Sequence, residues 1–269
     1  MPKKITFYKM CGTGNDFVLI DNRKKIIKKR KEFAQKICHR HTGIGGDGLI
    51  LIELGRKADL IARIFNADGS EAEMCGNGMR CAAWLAHYVL GFTKSPSFTT
   101  IAGIITTTVR KNTARVKLPD PTDFRDYAPL EVKDGIFYFY FINTGVPHCV
   151  IFEDNLDEFP VEKIGREIRH HPHFQPCGTN VNFVQIRNKK TIYVRTYERG
   201  VEAETLACGT GATASAIISA LIQKGVPPIT VITKSGESII VSFKMHTFSV
   251  SNVFLEGPVK FICEGQLYQ

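Results

Sequence analysis

Short apolar stretches rich in Ile, Val, Thr and Phe recur along the chain, cut by turns bearing Gly, Asn and Asp, and each reads as a strand. In the N-terminal half they fall at residues 5–9, 17–21, 49–54, 60–66, 98–101, 104–110 and 113–117. In the C-terminal half they fall at 136–142, 149–152, 180–184, 192–197, 230–233, 238–242 and 248–255. Helices are expected over about 31–40 and near 161–170, and Pro119-Asp120-Pro121 reads as a linker between the halves.

Two segments depart from the strand pattern, and they resemble each other. One is Met74-Cys75-Gly76-Asn77-Gly78-Met79-Arg80-Cys81, running into an Ala-rich apolar stretch with helical spacing that stops at Gly91. The other is Ala207-Cys208-Gly209-Thr210-Gly211-Ala212-Thr213-Ala214, running into a similar stretch that stops at Gly225. The two cysteines lie about half the chain apart. Each half is therefore expected to be many strands around one buried helix, with a thiol at the helix start.

That position has specific physics. A helix N-terminus offers backbone N–H groups without intrahelical partners and a partial positive charge. Glycines let an anion approach those groups closely. A thiol placed there ionises more readily than its free value of about 8.5. Two such sites acting together suit a carboxylate held between two helix ends, with one thiol on each side of the neighbouring carbon. Such a pair can remove a proton from one face and return one to the other.

Composition narrows the setting. With 269 residues, 43% hydrophobic and 23% charged, the chain has the make-up of an ordinary soluble globular protein of one large or two average domains. No apolar run reaches the roughly 20 residues of a membrane helix. The start Met1-Pro2-Lys3-Lys4-Ile5 lacks the apolar core of a signal peptide, so a cytosolic protein with eight free thiols is expected. Much of the net charge of +9 sits in Lys24-Lys25-Ile26-Ile27-Lys28-Lys29-Arg30-Lys31, read as a solvated basic face. No nucleic-acid motif accompanies it, so neither nucleic acid nor membrane is expected as a partner.

Other candidate chemistry is weaker. Gly209-x-Gly211-x-x-Ala214 has the spacing of a dinucleotide-binding turn, but the region about 20 residues on, Pro227-Pro228-Ile229-Thr230-Val231, holds no acid for the ribose. Cys38, His39 and His41, and separately His170, His171, His173 and Cys177, lack the paired spacing of a structural zinc site, and no metal is expected. Cys81 falls off the face of Cys75 and reads as a packed core thiol, as do Cys149 and Cys263.

Several motifs together give the chain a family resemblance: Gly14-Asn15-Asp16-Phe17, Gly43-Ile44-Gly45-Gly46-Asp47, Asn66-Ala67-Asp68-Gly69-Ser70-Glu71, Cys75-Gly76-Asn77-Gly78, Pro147-His148, Asn180, Glu198-Arg199-Gly200 and Ala207-Cys208-Gly209-Thr210-Gly211. Here the sequence resembles the diaminopimelate epimerases, cofactor-independent amino-acid epimerases of lysine and cell-wall biosynthesis. The resemblance implies an α/β fold of two pseudo-repeated domains, each a mixed, barrel-like sheet around a central helix, with the active site in the cleft between them. The halves would be 1–118, joined by about 264–269, and 119–263. It implies interconversion of LL- and meso-2,6-diaminopimelate without pyridoxal or metal, by a cytoplasmic homodimer acting on a small-molecule amino acid. Cys75 and Cys208 would be the acid/base pair, aided by His148 and Glu198. Substrate would meet Asn15, Asn66, Asn180, Glu198 and Arg199, with its carboxylate on the N–H groups of Gly76, Asn77, Gly209 and Thr210.

Three positions depart from the family pattern. Gly48 and Val146 stand where many members carry Gln and Asn that help hold substrate, and Cys263 stands where relatives often have a tyrosine at a dimer contact. Loss of two polar contacts points to looser specificity, admitting shorter acidic amino acids such as glutamate. The competing readings are a broad amino-acid racemase on this scaffold, a non-catalytic amino-acid-binding protein, and a redox protein. The last two do not require both Cys-Gly-x-Gly cysteines, since redox motifs use a single Cys-x-x-Cys.

Overall fold

The computed structural model describes residues 4–247 and 249–268. Residues 1–3, on which the expected lack of a signal peptide partly rests, Phe248 of the strand expected near 248–255, and Gln269 of the segment about 264–269 lie outside the described residues. The chain divides into two compact units, one running to Lys117 and resuming at Glu256, the other spanning Leu118–Leu255.

In the first unit β1 (Lys4–Gly12) and β2 (Asn15–Asp21) form a hairpin, and α1 (Arg30–Cys38) leads to β3 (Gly48–Leu54), parallel to β2. Next, β4 (Leu60–Asn66) pairs antiparallel with β3, and β5 (Glu71–Ala72) folds back on β4. After α2 (Gly76–Tyr88), β6 (Phe98–Thr100) lies parallel to β4, and β7 (Gly103–Ile105) antiparallel to β6. A hairpin of β8 (Thr107–Arg110) and β9 (Thr113–Lys117) follows.

The second unit repeats this order. β10 (Thr122–Val132) and β11 (Gly135–Asn143) are antiparallel, and β12 (Pro147–Phe152) is antiparallel to β11. Helix α3 (Val161–His170) leads to β13 (Asn180–Asn188), parallel to β12, and β14 (Thr191–Glu198) returns antiparallel with β15 (Ala203–Thr205) folded back on it. Past α4 (Gly209–Leu221), β16 (Ile229–Thr233) lies parallel to β14, with β17 (Ser238–Met245) antiparallel and β18 (Val250–Pro258) beyond. Finally β19 (Lys260–Tyr268) pairs with β1 in the first unit. The strand orders β19-β1-β2-β3-β4-β6-β7 and β10-β11-β12-β13-β14-β16-β17 match position by position in direction as well as order. The repeat visible at the two cysteine motifs thus extends across both sheets, and the α/β fold of two pseudo-repeated units is the one expected.

Burial explains why the strands read as apolar runs rather than alternations. Phe17 to Ile20 of β2 and Leu49 to Ile52 of β3 are all buried, because both faces are covered. Val18, Ile20, Leu49 and Leu51 pack with Ala34 and Ile37 of α1 on one face. On the other, Ile50 meets the start of α2, where a Cβ on Gly78 would stand 2.9 Å from its Cδ1. The second unit has the same layering: Cys149, Ile151, Val181, Phe183 and Tyr197 face Ile164 and Ile168 of α3.

The two central helices are enclosed nearly all round, which requires small and apolar residues. α4 also carries Thr213, Ser215 and Ser219 inside the core. Their hydroxyls donate to the carbonyls of Gly209, Gly211 and Ser215 at 2.9, 2.8 and 2.7 Å, so no buried donor is wasted. Among the described residues no helix is long and apolar enough to cross a membrane.

Some elements differ from the sequence reading. β10 was hidden because its residues are largely exposed and it carries Pro129, a pattern that an edge strand tolerates. β19 was hidden for the same reason, and its exposure corrects Cys263, which is not a packed core thiol but exposed on that edge strand. Residues 104–110 form two strands, broken at Thr106. After α4 the left-handed residue is Gln223, at φ 61°, rather than Gly225.

Candidate active site

In the first unit Cys75 caps α2. Its backbone is extended, at φ −136° and ψ 115°, and its Sγ accepts the Gly78 N–H at 3.5 Å. The register Phe17–Gly48–Asn66 puts the start of β2, the start of β3 and the end of β4 in one row. Asn15 lies two residues before Phe17, at the first position of β2, and Asn77 of α2 donates to its Oδ1 at 2.6 Å. Asn15 in turn donates to Asp47 at 3.1 Å, and Arg40 donates to Asp47 at 2.7 Å. Beside it, burial would raise the Asp16 carboxyl, but hydrogen bonds from Lys9 and Arg40 outweigh burial and hold it at about 2. Asn66 is exposed at the end of β4 and donates to Ser70 Oγ at 3.0 Å.

The β1–β2 turn is tight for a reason. Thr13 and Gly14 both have positive φ, 51° and 86°, as a two-residue hairpin turn requires. A β-branched residue is unusual there. It is held from α2: fully buried Arg80 donates to Thr13 Oγ1 at 2.6 Å. Gly12 has no room for a side chain either, since a Cβ would lie 2.9 Å from the Asn77 carbonyl oxygen. Gly48 is equally close-packed, with an added Cβ 2.7 Å from the Phe65 carbonyl oxygen. The glycine at 48 therefore marks a close approach of strands rather than the open space that its small size suggested.

In the second unit Cys208 caps α4 in the same extended geometry, at φ −116° and ψ 113°. Its Sγ lies 3.5 Å from Thr210 Oγ1, and the Thr210 carbonyl accepts the Thr144 hydroxyl at 3.0 Å. His148 and Asn180 are register partners at the starts of β12 and β13. Glu198 ends β14 one step beyond Tyr197, which pairs with Val181, and so stands level with Asn180. Asn180 donates to the Pro147 carbonyl at 3.0 Å and accepts the Arg199 backbone N–H at 2.9 Å. The Arg199 guanidinium donates to the Cys177 carbonyl at 2.8 Å. The structure thus sets Asn15 and Asn66 at the ends of β2 and β4, with the α2 start (Cys75, Gly76, Asn77) hydrogen-bonded to Asn15 through Asn77, and in the repeat sets His148, Asn180, Glu198 and Arg199 at the equivalent strand ends, with Cys208, Gly209 and Thr210 at the start of α4.

The other thiols are set apart by burial. It pushes up the thiols of Cys81 and Cys149, and takes Cys38, in the last turn of α1, to about 11. These are packed groups, not bases.

Burial, and secondarily the charge of Arg199, lowers the His148 imidazole from 6.5 to about 3, so the ring is neutral at physiological pH. The unfolded chain then takes up this proton first. The His148 contribution is intact above about 6.5 and is lost as pH falls towards about 3. Urea unfolding between pH 7 and pH 4 should show stability dropping by up to about 1.4 kcal/mol per pH unit from this one group. His148→Asn should flatten that slope; an unchanged slope would assign it elsewhere.

Sequence reasoning missed Asn182, although its spacing two residues from Asn180 put it on the same strand face. Fully buried, it donates to the Cys149 carbonyl at 2.9 Å and accepts the Thr196 hydroxyl at 3.0 Å. Its Nδ2 lies 3.1 Å from His148 Nδ1. The first turn of α4 rests on it: a Cβ at Gly211 would stand 2.2 Å from Asn182 Oδ1. Gly211→Ala should therefore destabilise the fold by about 1–3 kcal/mol, as overpacking does, and displace the turn that carries Cys208. A melting temperature and turnover both equal to the parent's would contradict this contact.

A model of the family described as diaminopimelate epimerase matches residues 7–121 and 140–262. A diaminopimelate epimerase of Aquifex aeolicus (strain VF5) is 46% identical over 275 residues, covering 97% of this chain and 97% of its own. One of Chlorobaculum tepidum is 39% identical and covers 96% of this chain and 99% of its own. Among solved structures, a hydroxyproline epimerase from Agrobacterium vitis superposes with a TM-score of 0.74 at 13% identity, covering 100% of this chain and 94% of that one. A PhzF-family phenazine biosynthesis protein of Bacillus anthracis gives 0.72 at 17% identity, covering 99% and 100%. At such identities the structural likeness speaks for the fold alone, whereas the family match and the closely similar relatives span almost the whole sequence. The chain belongs to the diaminopimelate epimerase family.

Proposed function

We propose that this chain interconverts LL- and meso-2,6-diaminopimelate by a two-thiol mechanism that uses no cofactor. The observation that carries the reading is the cysteine N-cap, found at the same place in two copies of one topology. Cys75 and Cys208 act on opposite faces of the α-carbon: the thiolate of one removes the proton, and the thiol of the other delivers its own. Roles exchange with direction, which suits thiols because both protonation states are accessible near neutral pH. As the proton leaves, negative charge moves onto the α-carboxylate, and the backbone N–H groups of Gly76, Asn77, Gly209 and Thr210 stabilise it there.

The remaining polar residues hold the substrate. Asn15, Asn66 and Asn180 bind its polar groups, His148 and Glu198 poise the amine and thiols, and Arg199 pairs with the distal carboxylate through two parallel hydrogen bonds. The enzyme works in the cytoplasm as a homodimer. Incubating the reduced protein with LL-diaminopimelate and no added cofactor should yield the meso isomer on chiral chromatography. Glutamate and other amino acids run alongside test the range. Turnover of glutamate with diaminopimelate untouched would replace this substrate assignment, and no inversion of any amino acid would remove the enzymatic reading.

A further inference from the structure

The faces of β12, β13 and β14 divide sharply. Cys149, Ile151, Val181, Phe183 and Tyr197 belong to the apolar layer under α3. The alternate positions carry Val150, Val184 and Val194 deeper in, but His148, Asn180, Asn182, Thr196 and Glu198 towards the site, so a polar strip crosses that end of the opposite face, where α4 packs. Asn182 lies in the middle of that strip and touches both ends of the chemistry: His148 through its amide nitrogen, and the first turn of α4 through its amide oxygen.

The orientation of the Asn182 amide is fixed by the Cys149 carbonyl, which can only accept: Nδ2 donates to it, and a flipped amide would set oxygen against oxygen. Oδ1 is then the atom that accepts the Thr196 hydroxyl. The nitrogen near His148 is thus a donor, and His148 Nδ1 must accept. A neutral imidazole that accepts at Nδ1 carries its proton at Nε2. His148 Nε2 is buried and has no hydrogen-bond partner among the described residues. A buried N–H donor without a partner is destabilising, and a ligand that accepts from it is one way to satisfy it.

We propose that Asn182 is a positioning residue: it locks neutral His148 in the Nε2–H tautomer, so that the ring offers substrate a hydrogen-bond donor rather than a base, and it seats the helix turn that carries Cys208. This deepens the proposed function and rests on its placement of His148 in the active site. Asn182→Asp is the informative variant. It keeps the acceptor for Thr196 but removes the donor to His148, so the ring turns its proton to Nδ1 or takes up a second one.

The test is a two-bond proton–nitrogen NMR spectrum of uniformly labelled protein, with the His148 ring assigned by its loss in His148→Asn. Wild type should show a proton-bearing Nε2 and a bare Nδ1 from pH 8 to pH 5. N182D should show a protonated Nδ1, and its kcat for LL-diaminopimelate should fall by at least about 100-fold, the lower bound for loss of one preorganised hydrogen-bond donor, with KM changed far less. A wild-type proton on Nδ1 would overturn the lock, and that spectrum decides the point even if N182D does not fold. N182D with the altered tautomer and undiminished kcat would overturn its catalytic consequence. Full turnover by His148→Asn would remove His148 from the site, a failure of the underlying reading that the tautomer measurement tells apart.

Discussion

Alanine at either Cys75 or Cys208 is expected to lower the inversion of LL-diaminopimelate by about 10³- to 10⁴-fold, the upper part of the range for a positioned acid or base. In the proposed mechanism inversion needs both removal and delivery of a proton, so losing either thiol should stop the cycle. The double variant should be little worse than either single one, because the two residues work as a unit. Serine should not rescue, since its hydroxyl does not ionise near neutral pH. Both cysteines cap helices whose remaining contacts are made by other residues, so the variants should keep the parent's circular dichroism spectrum. Turnover by either alanine variant within tenfold of the parent would exclude that thiol as an acid or base.

Replacing Arg199 by glutamine should lower kcat/KM for diaminopimelate by about 100-fold. A hydrogen bond to a charged group contributes about 1.5–3 kcal/mol, and a guanidinium–carboxylate pair makes two, partly offset by water in the variant. The change isolates the side chain. Asn180 is held by the Arg199 backbone N–H, which glutamine keeps, while the guanidinium contact with the Cys177 carbonyl and the positive charge felt by His148 are lost. Any residual activity on a monocarboxylic amino acid should be unaffected by the substitution. Equal losses on both kinds of substrate would mean that Arg199 supports the loop rather than the distal carboxylate.

The sequence disclosed most where one residue type serves one purpose. Cys-Gly-x-Gly before an Ala-rich segment marked both central helices, because small residues let strands pack closely on a helix and glycine leaves its first turn open. Buried strands such as β2 and β3 were legible as apolar runs. Exposed edge strands were not: β10 and β19 carry mixed, solvent-facing residues, and their pairing is a property of the sheet rather than of their own pattern.

The same divide runs through the site. Residues at turns and helix starts could be read directly, whereas supports made across the fold could not. Arg80 holding Thr13, and Asn182 beneath Gly211, join segments far apart in the chain, and neither carries a local motif. Gly48 shows the opposite error. A small residue suggested space, but the strand backbones had closed on it.

The central claim is that two different groups exchange the proton, one on each face. The direct measurement is early-time isotope analysis: LL-diaminopimelate with ordinary hydrogen is converted by wild type in deuterium oxide, and substrate and product are separated at low conversion. Two thiols predict meso product carrying solvent deuterium at the inverted carbon, with recovered LL substrate still unlabelled, because the abstracted proton leaves on one sulfur while the other delivers solvent-derived deuterium. Product that retains the original hydrogen, or substrate labelled as fast as product forms, would point to a single base and contradict the two-thiol mechanism.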